Sequence, residues 1–289
     1  MAIYVNYLLP DDFHFSQGEG SLNSKKIIAS VIFAAGKGSR MKDYEGNKTL
    51  LPLIPEKGPF KGEKPILLRI LNTLPPGPMA IVVNHKKEDV IETTGHLNLT
   101  YCEQPELNGT GGAILAALDF IKNTEYDFLL VTMGDTPLVR ESTFSKLIDV
   151  LESGHIAVLG FRPADRKKYG VLDIEDSKVK RIIEWEYWKD YPESEQERLS
   201  VCNAGIYAVR KNEILRYLDL LSRKPHTVLK ERNGRQVEIK EYFITDMIQW
   251  MYEDGLKTGC CVADNEYEVM GVDDVDSLKL AQKIFREEH

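Results

Sequence analysis

Glycines and cations that could bind a phosphate group follow the first strongly apolar run of the chain. Residues 27–33 are rich in β-branched side chains, which predicts a buried strand. The residues after this run include Ala35, Gly36, Lys37, Gly38, Ser39 and Arg40. The glycines let the backbone adopt positive φ and bring its N–H groups close to an anion, and Arg40 and Lys48 add positive charge. This loop therefore predicts a site for an anionic ligand such as a triphosphate.

Other interpretations of the glycine loop compete with phosphate binding. A dinucleotide fingerprint would need a third glycine, where this chain has Met41. A P-loop would need Gly-x-x-x-x-Gly-Lys before Ser or Thr, which the chain lacks. A purely structural turn is the remaining alternative, because glycine pairs often serve only as turns. The local residues alone indicate an anionic ligand and no particular reaction.

A carboxylate that could bind Mg²⁺ follows a second apolar run. Residues 128–133 are apolar except for Thr132, which predicts a buried strand, and Gly134-Asp135 comes directly after it. A carboxylate at a strand end suits Mg²⁺, which takes a few oxygen ligands and keeps some of its waters. An ordinary turn is the alternative for this Gly-Asp pair.

A polar loop could read a base. Gln104 offers a donor and an acceptor that together complement one edge of a pyrimidine, and Gly109, followed by Thr110, lets a base lie against the backbone. The alternative is a polar loop that only caps the next helix.

Composition limits the classes of function. The chain has 289 residues, of which 43% are hydrophobic and 28% charged, an ordinary globular balance. We expect no membrane partner, because no run approaches the roughly 20 apolar residues of a membrane helix, and we expect a cytoplasmic location. A net charge of −8 argues against a nucleic-acid partner. The four cysteines lack Cys-x-x-Cys spacing and are expected to be reduced thiols.

Strands alternate with helices along most of the chain. Apolar runs predict strands at 79–83, 97–102, 128–133, 156–161, 171–174, 179–185, 201–209, 258–263 and 266–270. Helical spacing predicts helices at 65–74, 86–94, 112–121, 212–221, 243–252 and 274–287. Residues 53–64 are expected to form an exposed loop, 233–234 a tight turn, and 3–9 a possible edge strand. The alternation implies an α/β fold with a mostly parallel sheet and with ligands at the carboxyl ends of its strands.

The glycine loop also resembles a known family. Ala34-Ala35-Gly36-Lys37-Gly38-Ser39-Arg40-Met41, followed by Lys48 and Leu51-Pro52, is similar to the signature of the sugar-1-phosphate nucleotidylyltransferases. The similarity is greatest to the uridylyltransferase domain of the bacterial N-acetylglucosamine-1-phosphate uridylyltransferases. That family usually has proline before the lysine, where this chain has Asn47, and we expect this change to make the loop less rigid.

The resemblance implies roles for the candidate residues. Arg40 and Lys48 would be catalytic and bind the triphosphate, with Asp135 and Asp273 as ligands of Mg²⁺. The nucleotide would lie against Ala35, Gly36, Gly38, Gln104, Gly109, Thr110 and Gly134, and the sugar against Gly170, Glu184 and Asn203. Asp273 belongs to Gly271-Val272-Asp273-Asp274, and we expect at least one of these aspartates to cap the final helix. Residues 242–246 match another family stretch, whose periodicity favours packing over catalysis.

The resemblance further implies an architecture and an activity. The fold would be a Rossmann-like three-layer nucleotidyltransferase fold, similar to glycosyltransferase A, with a smaller sugar-binding lobe. Residues 1–26 would be an extension and 27–289 the domain, divided into a nucleotide part at 27–140, a sugar part at 141–270 and a final helix at 274–287. The activity would join a nucleoside triphosphate, favouring UTP, to a sugar 1-phosphate, favouring N-acetylglucosamine 1-phosphate. The alternatives are another base or sugar, and a regulatory protein that binds a nucleotide-sugar without turnover; the oligomeric state is left open.

Overall fold

The computed structural model describes residues 26–41, 44–166, 168–232 and 235–288, and its largest sheet has nine strands. In chain order the elements are β1 (Ile28–Phe33), β2 (Pro52–Pro55), β3 (Gly62–Pro65), α1 (Ile66–Thr73), β4 (Met79–Val83), α2 (Lys87–Thr94), β5 (Thr100–Glu103), α3 (Thr110–Ala116), α4 (Leu118–Asn123), β6 (Phe128–Met133), α5 (Glu141–Asp149), β7 (Ile156–Phe161), β8 (Val171–Glu175), β9 (Lys178–Ile183), α6 (Trp185–Trp188), α7 (Glu193–Arg198), β10 (Cys202–Arg210), α8 (Lys211–Arg223), β11 (His226–Arg232), β12 (Arg235–Glu241), α9 (Ile244–Glu253), β13 (Thr258–Val262) and α10 (Val275–Glu288). Short 3-10 helices lie at Lys48–Leu50, Val150–Glu152 and Glu266–Val269.

The sheet is mostly parallel, as the sequence predicts. Its strand order is β13-β7-β10-β6-β1-β4-β5, and the β8–β9 hairpin joins it through β10. Strand β1 pairs in parallel with β4 and β6, whereas β10 is antiparallel to both β6 and β7. Helices cover both faces of the sheet, and each face has its own apolar core. Val31 and Ile32, successive fully buried residues of β1, belong to different cores. The predicted three-layer fold is confirmed.

The structure corrects three predicted elements. Residues 53–64 form the β2–β3 hairpin rather than a loop, because Gln282 of α10 donates to Pro52 O and Pro59 O, both at 2.8 Å. The strand predicted at 266–270 is a 3-10 helix, whose first turn is capped when Asn265 accepts a hydrogen bond from Tyr267 N at 3.0 Å. The helix predicted at 112–121 is two helices, which meet at Ala117.

Two predictions fall on residues outside the described ranges. These are the edge strand at 3–9 and the tight turn at 233–234. Strands β11 and β12, which precede and follow residues 233–234 in the sequence, pair with each other in antiparallel register.

Parallel strands bring the candidate loops to one edge of the sheet. Strands β1, β4, β5 and β6 point the same way, so the loops that follow them lie at a common carboxyl edge. The turn before α10 is attached there as well, because Val272 N donates to Asp135 O at 2.8 Å. Among the described helices, none combines the length and apolar character needed to cross a membrane.

Candidate functional site

Lys48 lies between two carboxylates at this edge of the sheet. Its ammonium donates to Asp135 Oδ2 and, at 2.8 Å, to Asp273 Oδ1. Arg40 Nη2 lies 3.0 Å from the same oxygen of Asp273. The structure therefore brings all four residues together around one cavity, although they come from distant parts of the sequence.

The two acids keep the lysine charged. Burial alone would lower the pKa of Lys48, but the nearby carboxylates of Asp135 and Asp273 raise it, and the pKa lies above its ordinary value. The Lys48 side chain is 13% exposed and that of Asp135 12%, whereas Arg40 is 70% exposed. The site thus combines a shielded cation with one that faces solvent.

Close turns fix the positions of the acids. Gly134 N donates to Phe33 O at 2.9 Å, and a Cβ at Gly134 would lie only 2.7 Å from that oxygen, so a side chain does not fit. The adjacent residues Asp273 and Asp274 have different roles. Asp274 Oδ1 accepts a hydrogen bond from Ser277 N at 2.8 Å and caps α10. The expectation that one of the pair serves as a cap is confirmed, and Asp273 faces the cavity.

The donor set suits a divalent ion. The described residues contain no group of three or more His, Cys, Asp or Glu residues placed to hold a metal. Mg²⁺ commonly takes one or two carboxylates and completes its shell with substrate phosphates and water. Asp135 and Asp273 already converge on one cationic group, the Lys48 ammonium, so the residues present fit Mg²⁺.

Asn47 ties the lysine turn to the sheet. Its Nδ2 donates to Ala34 O at 3.0 Å and to His85 O at 2.9 Å. Its Oδ1 accepts from Thr49 N at 3.0 Å and from Thr49 Oγ1 at 2.8 Å. The expectation that asparagine makes this loop less rigid is wrong, because four hydrogen bonds cross-link it.

The glycine loop presents unobstructed backbone. A Cβ at Gly36 would meet no heavy atom within 4 Å. Gly38 has φ +61°, and its carbonyl accepts from Met41 N at 2.8 Å. Ala35 and Gly36 line a cavity of about 300 Å³. The loop therefore leaves room for a ligand beside its backbone.

The predicted base-reading residues line the same cavity of about 300 Å³, called the nucleotide cavity below after the ligand that the sequence predicts for it. Its lining consists of Phe33, Ala34, Ala35, Gly36, Lys48, Thr49, Gln104, Leu107, Gly109, Thr110, Ala113, Met133, Asp135 and Glu241. Gln104 is buried, and its Nε2 donates to Asn108 Oδ1 at 3.1 Å and to Gly109 O at 3.2 Å. Gly109 has φ +92°, and a Cβ there would lie 2.4 Å from Tyr242 O. These bonds fix the loop within reach of a ligand.

The predicted sugar residues meet around a second cavity, of about 530 Å³, called the sugar cavity below after the ligand that the sequence predicts for it. Its lining includes Arg40, Lys48, Asp135, Phe161, Tyr169, Glu184, Asn203, Gly205, Tyr207, Phe243, Thr245 and Asp273. Asn203 Nδ2 donates to Tyr207 Oη at 2.9 Å, and Asn203 N donates to Gly170 O at 2.8 Å. Gly170 is not part of the lining but packs on it, because a Cβ there would lie 3.1 Å from Glu184 Oε2.

Burial changes the pKa of Glu184, an acid that lines the sugar cavity. It raises the pKa of Glu184, and the carboxylates of Glu186 and Asp246 raise it further, while a hydrogen bond from Thr245 lowers it. Glu184 thus stands in an acidic surrounding that favours groups able to donate hydrogen bonds.

Sequence reasoning missed part of the lining. Phe243 and Thr245 reach the sugar cavity and Glu241 the nucleotide cavity, although the stretch 242–246 was interpreted as packing. The match of residues 242–246 to a family stretch was the signal that could have identified Phe243 and Thr245. Met247, one turn further along α9, does pack in the core.

Known proteins resemble this chain over most of its length. Residues 30–227 match the family model described as the MobA-like NTP transferase domain. The chain is 32% identical to the bifunctional protein GlmU of Sulfurimonas denitrificans over 271 residues, which are 91% of this chain and 55% of that protein. It is 29% identical to that of Novosphingobium aromaticivorans over 261 residues, 88% of this chain and 52% of that protein. The chain therefore spans about half the length of these curated relatives.

A solved structure shows the same fold. It is a putative glucose-1-phosphate thymidylyltransferase from Bacillus anthracis, with a TM-score of 0.64 and 20% identity, covering 90% of this chain and 96% of that chain. At this identity the likeness supports the fold alone. The family model and the relatives confirm the resemblance drawn from the sequence.

Proposed function

Because the chain belongs to the MobA-like NTP transferase domain family, we propose that it transfers a nucleotidyl group from a nucleoside triphosphate to a sugar 1-phosphate. The products would be a nucleotide-sugar and pyrophosphate. The observation that carries this proposal is the convergence of Arg40, Lys48, Asp135 and Asp273 where the two cavities adjoin. Lys48 and Asp135 line both cavities, so a nucleotide in one and a sugar phosphate in the other would meet beside them.

The reaction needs charge compensation more than proton transfer. A phosphate oxygen of the sugar 1-phosphate attacks the α-phosphorus, the bond to the bridging oxygen breaks, and pyrophosphate leaves with the electron pair. Both reactants are anions, so Lys48 and Arg40 offset their repulsion and hold the α-phosphate in line. No general base is required, because the attacking oxygen already carries negative charge.

We include Mg²⁺ in the proposal, with Asp135 and Asp273 as its protein ligands. When bound, it would neutralise phosphate charge on the triphosphate and the leaving pyrophosphate. The two carboxylates hold the ammonium of Lys48 between them, so they stand close enough to share one cation.

The finer assignments are part of the same proposal. UTP and N-acetylglucosamine 1-phosphate are the favoured substrates, with Gln104, Gly109 and Thr110 reading the base. Beside the backbone of Gly170, the Glu184 carboxylate would accept hydrogen bonds from sugar hydroxyls. The Asn203 amide would donate hydrogen bonds to the sugar and accept them from it. Residues 27–140 would supply the nucleotide part and 141–270 the sugar part, and the expected location is the cytoplasm.

A grid of substrates tests this function. Pyrophosphate release would be measured for UTP, CTP, dTTP, ATP and GTP, each with several sugar 1-phosphates, with and without Mg²⁺. We expect release only when both substrates and Mg²⁺ are present, and fastest with UTP and N-acetylglucosamine 1-phosphate. A faster pair would replace the substrate assignment. Binding of a nucleotide-sugar without release from any pair would overturn the transferase and favour a regulatory protein.

A further inference from the structure

Asn47 stands out because its buried amide uses its whole hydrogen-bonding capacity beside the site. The residue is 1% exposed, and its two N–H groups and both lone pairs of its oxygen are occupied. It lines neither the nucleotide cavity nor the sugar cavity. A group that is fully bonded and hidden from both cavities does not touch a substrate, so any role in the reaction must pass through its neighbours.

The four bonds join three separate elements. Ala34 O marks the end of β1, and His85 O lies just beyond the end of β4, so Asn47 Nδ2 bridges two neighbouring parallel strands. On its other side Asn47 Oδ1 caps the 3-10 helix whose first residue is Lys48. The backbone of Lys48 is therefore held at a fixed distance from the strand ends that carry the candidate loops.

We propose that Asn47 is a positioning residue that places the Lys48 ammonium for the transfer reaction. This inference rests on the proposed function. Lysine has a long flexible side chain, so the position of its ammonium depends on where its backbone begins as well as on its partners Asp135 and Asp273. A misplacement of about 1 Å in such a group can cost about a hundredfold in rate.

The variants separate positioning from general stability. Asn47→Ala removes all four hydrogen bonds, whereas Asn47→Ser keeps a side-chain oxygen that can cap the 3-10 helix but is too short to bridge the strand ends. Gln282→Ala is the matched control, because Gln282 is also a buried amide, 2% exposed, that donates to two carbonyl oxygens at 2.8 Å. It lies on α10 outside both cavities, so its loss should lower the melting temperature without moving Lys48.

Two readouts follow the lysine and the reaction separately. The first is the rate at which an amine-acylating reagent modifies Lys48, measured by mass spectrometry; the second is kcat and KM for pyrophosphate release. We expect both Asn47 variants to raise the acylation rate several-fold and Asn47→Ala to lower kcat about 10- to 100-fold, with KM changed less than about threefold. Gln282→Ala should change neither readout. In a Lys48→Ala background, Asn47→Ala should lower kcat by less than about threefold, because its target is already gone.

Each result decides a different claim. An unchanged acylation rate in both Asn47 variants would overturn the positioning role, and so would an Asn47→Ala loss of kcat that persists at full size in the Lys48→Ala background. If Asn47→Ala does not fold, Asn47→Ser carries the same comparison. Absence of pyrophosphate release by the unaltered protein would overturn the proposed function, while the acylation rates would still decide whether Asn47 places Lys48.

Discussion

The two cations of the site differ in their surroundings. Lys48 is largely shielded from water and contacts two carboxylates, whereas Arg40 is mostly exposed and contacts only one of them. A charge shielded from solvent interacts more strongly with a developing charge than one that water screens. The two side chains should therefore contribute unequally to the transfer.

Removal of each cation should show this difference. We expect Lys48→Ala to lower kcat about 10²- to 10³-fold, and Arg40→Ala to lower it about tenfold with a rise in KM for the triphosphate, because an exposed cation acts mainly in binding. Steady-state kinetics at saturating substrate measures both. Lys87→Ala is the control, since Lys87 pairs with Glu103 outside both cavities. Near-normal turnover of Lys48→Ala would contradict the role assigned to Lys48.

The sequence predicted some of these residues better than others. Asp135 and the glycine loop with Arg40 each follow an apolar strand, and Lys48 comes soon after that loop, so a local pattern was enough to select them. Asp273 was selected only through the family resemblance, because the hydrogen bond from Val272 N to Asp135 O that brings it into the site joins distant segments. Phe243 and Thr245 were missed for the same reason, since their helical periodicity describes one element and not the cavity beside it.

At the scale of elements, local patterns succeeded where burial alone determines structure. The predicted bounds of β4, β6 and β7 agree with the structure, because these strands are apolar at nearly every position. The β2–β3 hairpin was missed because its turn residues resemble a loop, and Gln282, which holds it, lies far along the chain. A side-chain cap accounts for the 3-10 helix found where a strand was predicted, because Asn265 accepts a hydrogen bond from Tyr267 N.

The glycine loop gives a prediction at this scale. A Cβ at Gly36 meets no protein atom within 4 Å, so Gly36→Ala should leave the melting temperature within about 1 °C of the unaltered protein. If a phosphate approaches this backbone, the added methyl group would obstruct it, and KM for the triphosphate should rise about tenfold. Thermal unfolding and steady-state kinetics test the two halves.

A second glycine provides the contrast. Gly109→Ala forces a side chain onto φ +92° and within 2.4 Å of Tyr242 O, so it should lower the melting temperature clearly. An unchanged KM for Gly36→Ala would show that no phosphate lies against Gly36.

At the scale of the whole molecule, the fold places two acids, Glu184 and Asp246, where burial disfavours their charged forms. Burial raises the pKa of Glu184, and burial likewise raises that of Asp246, although His226, 2.7 Å away, opposes this. Both acids lie where the β8–β9 hairpin meets α9, beside the sugar cavity. The stability that a raised pKa contributes is present below the unfolded value and is lost as pH rises through the folded value. Above the folded value, where Glu184 is ionised, its charge therefore costs stability.

Glu184→Gln should expose this cost. At pH values above the folded pKa of Glu184 the variant lacks the half-buried charge of the unaltered protein, so we expect its melting temperature to be roughly 2 °C higher there. The difference should shrink as pH falls toward the unfolded value of 4.5, where most of the unaltered protein also carries a neutral side chain.

The KM of Glu184→Gln for the sugar 1-phosphate should rise, because amide oxygen accepts hydrogen bonds from sugar hydroxyls more weakly than carboxylate. Thermal unfolding from pH 4 to 8 and kinetics at pH 7 measure these effects, with the exposed Glu193→Gln as control. A melting temperature below normal by the same amount at every pH would show that Glu184 stabilises the fold by its shape and contacts, and that its charge carries no penalty.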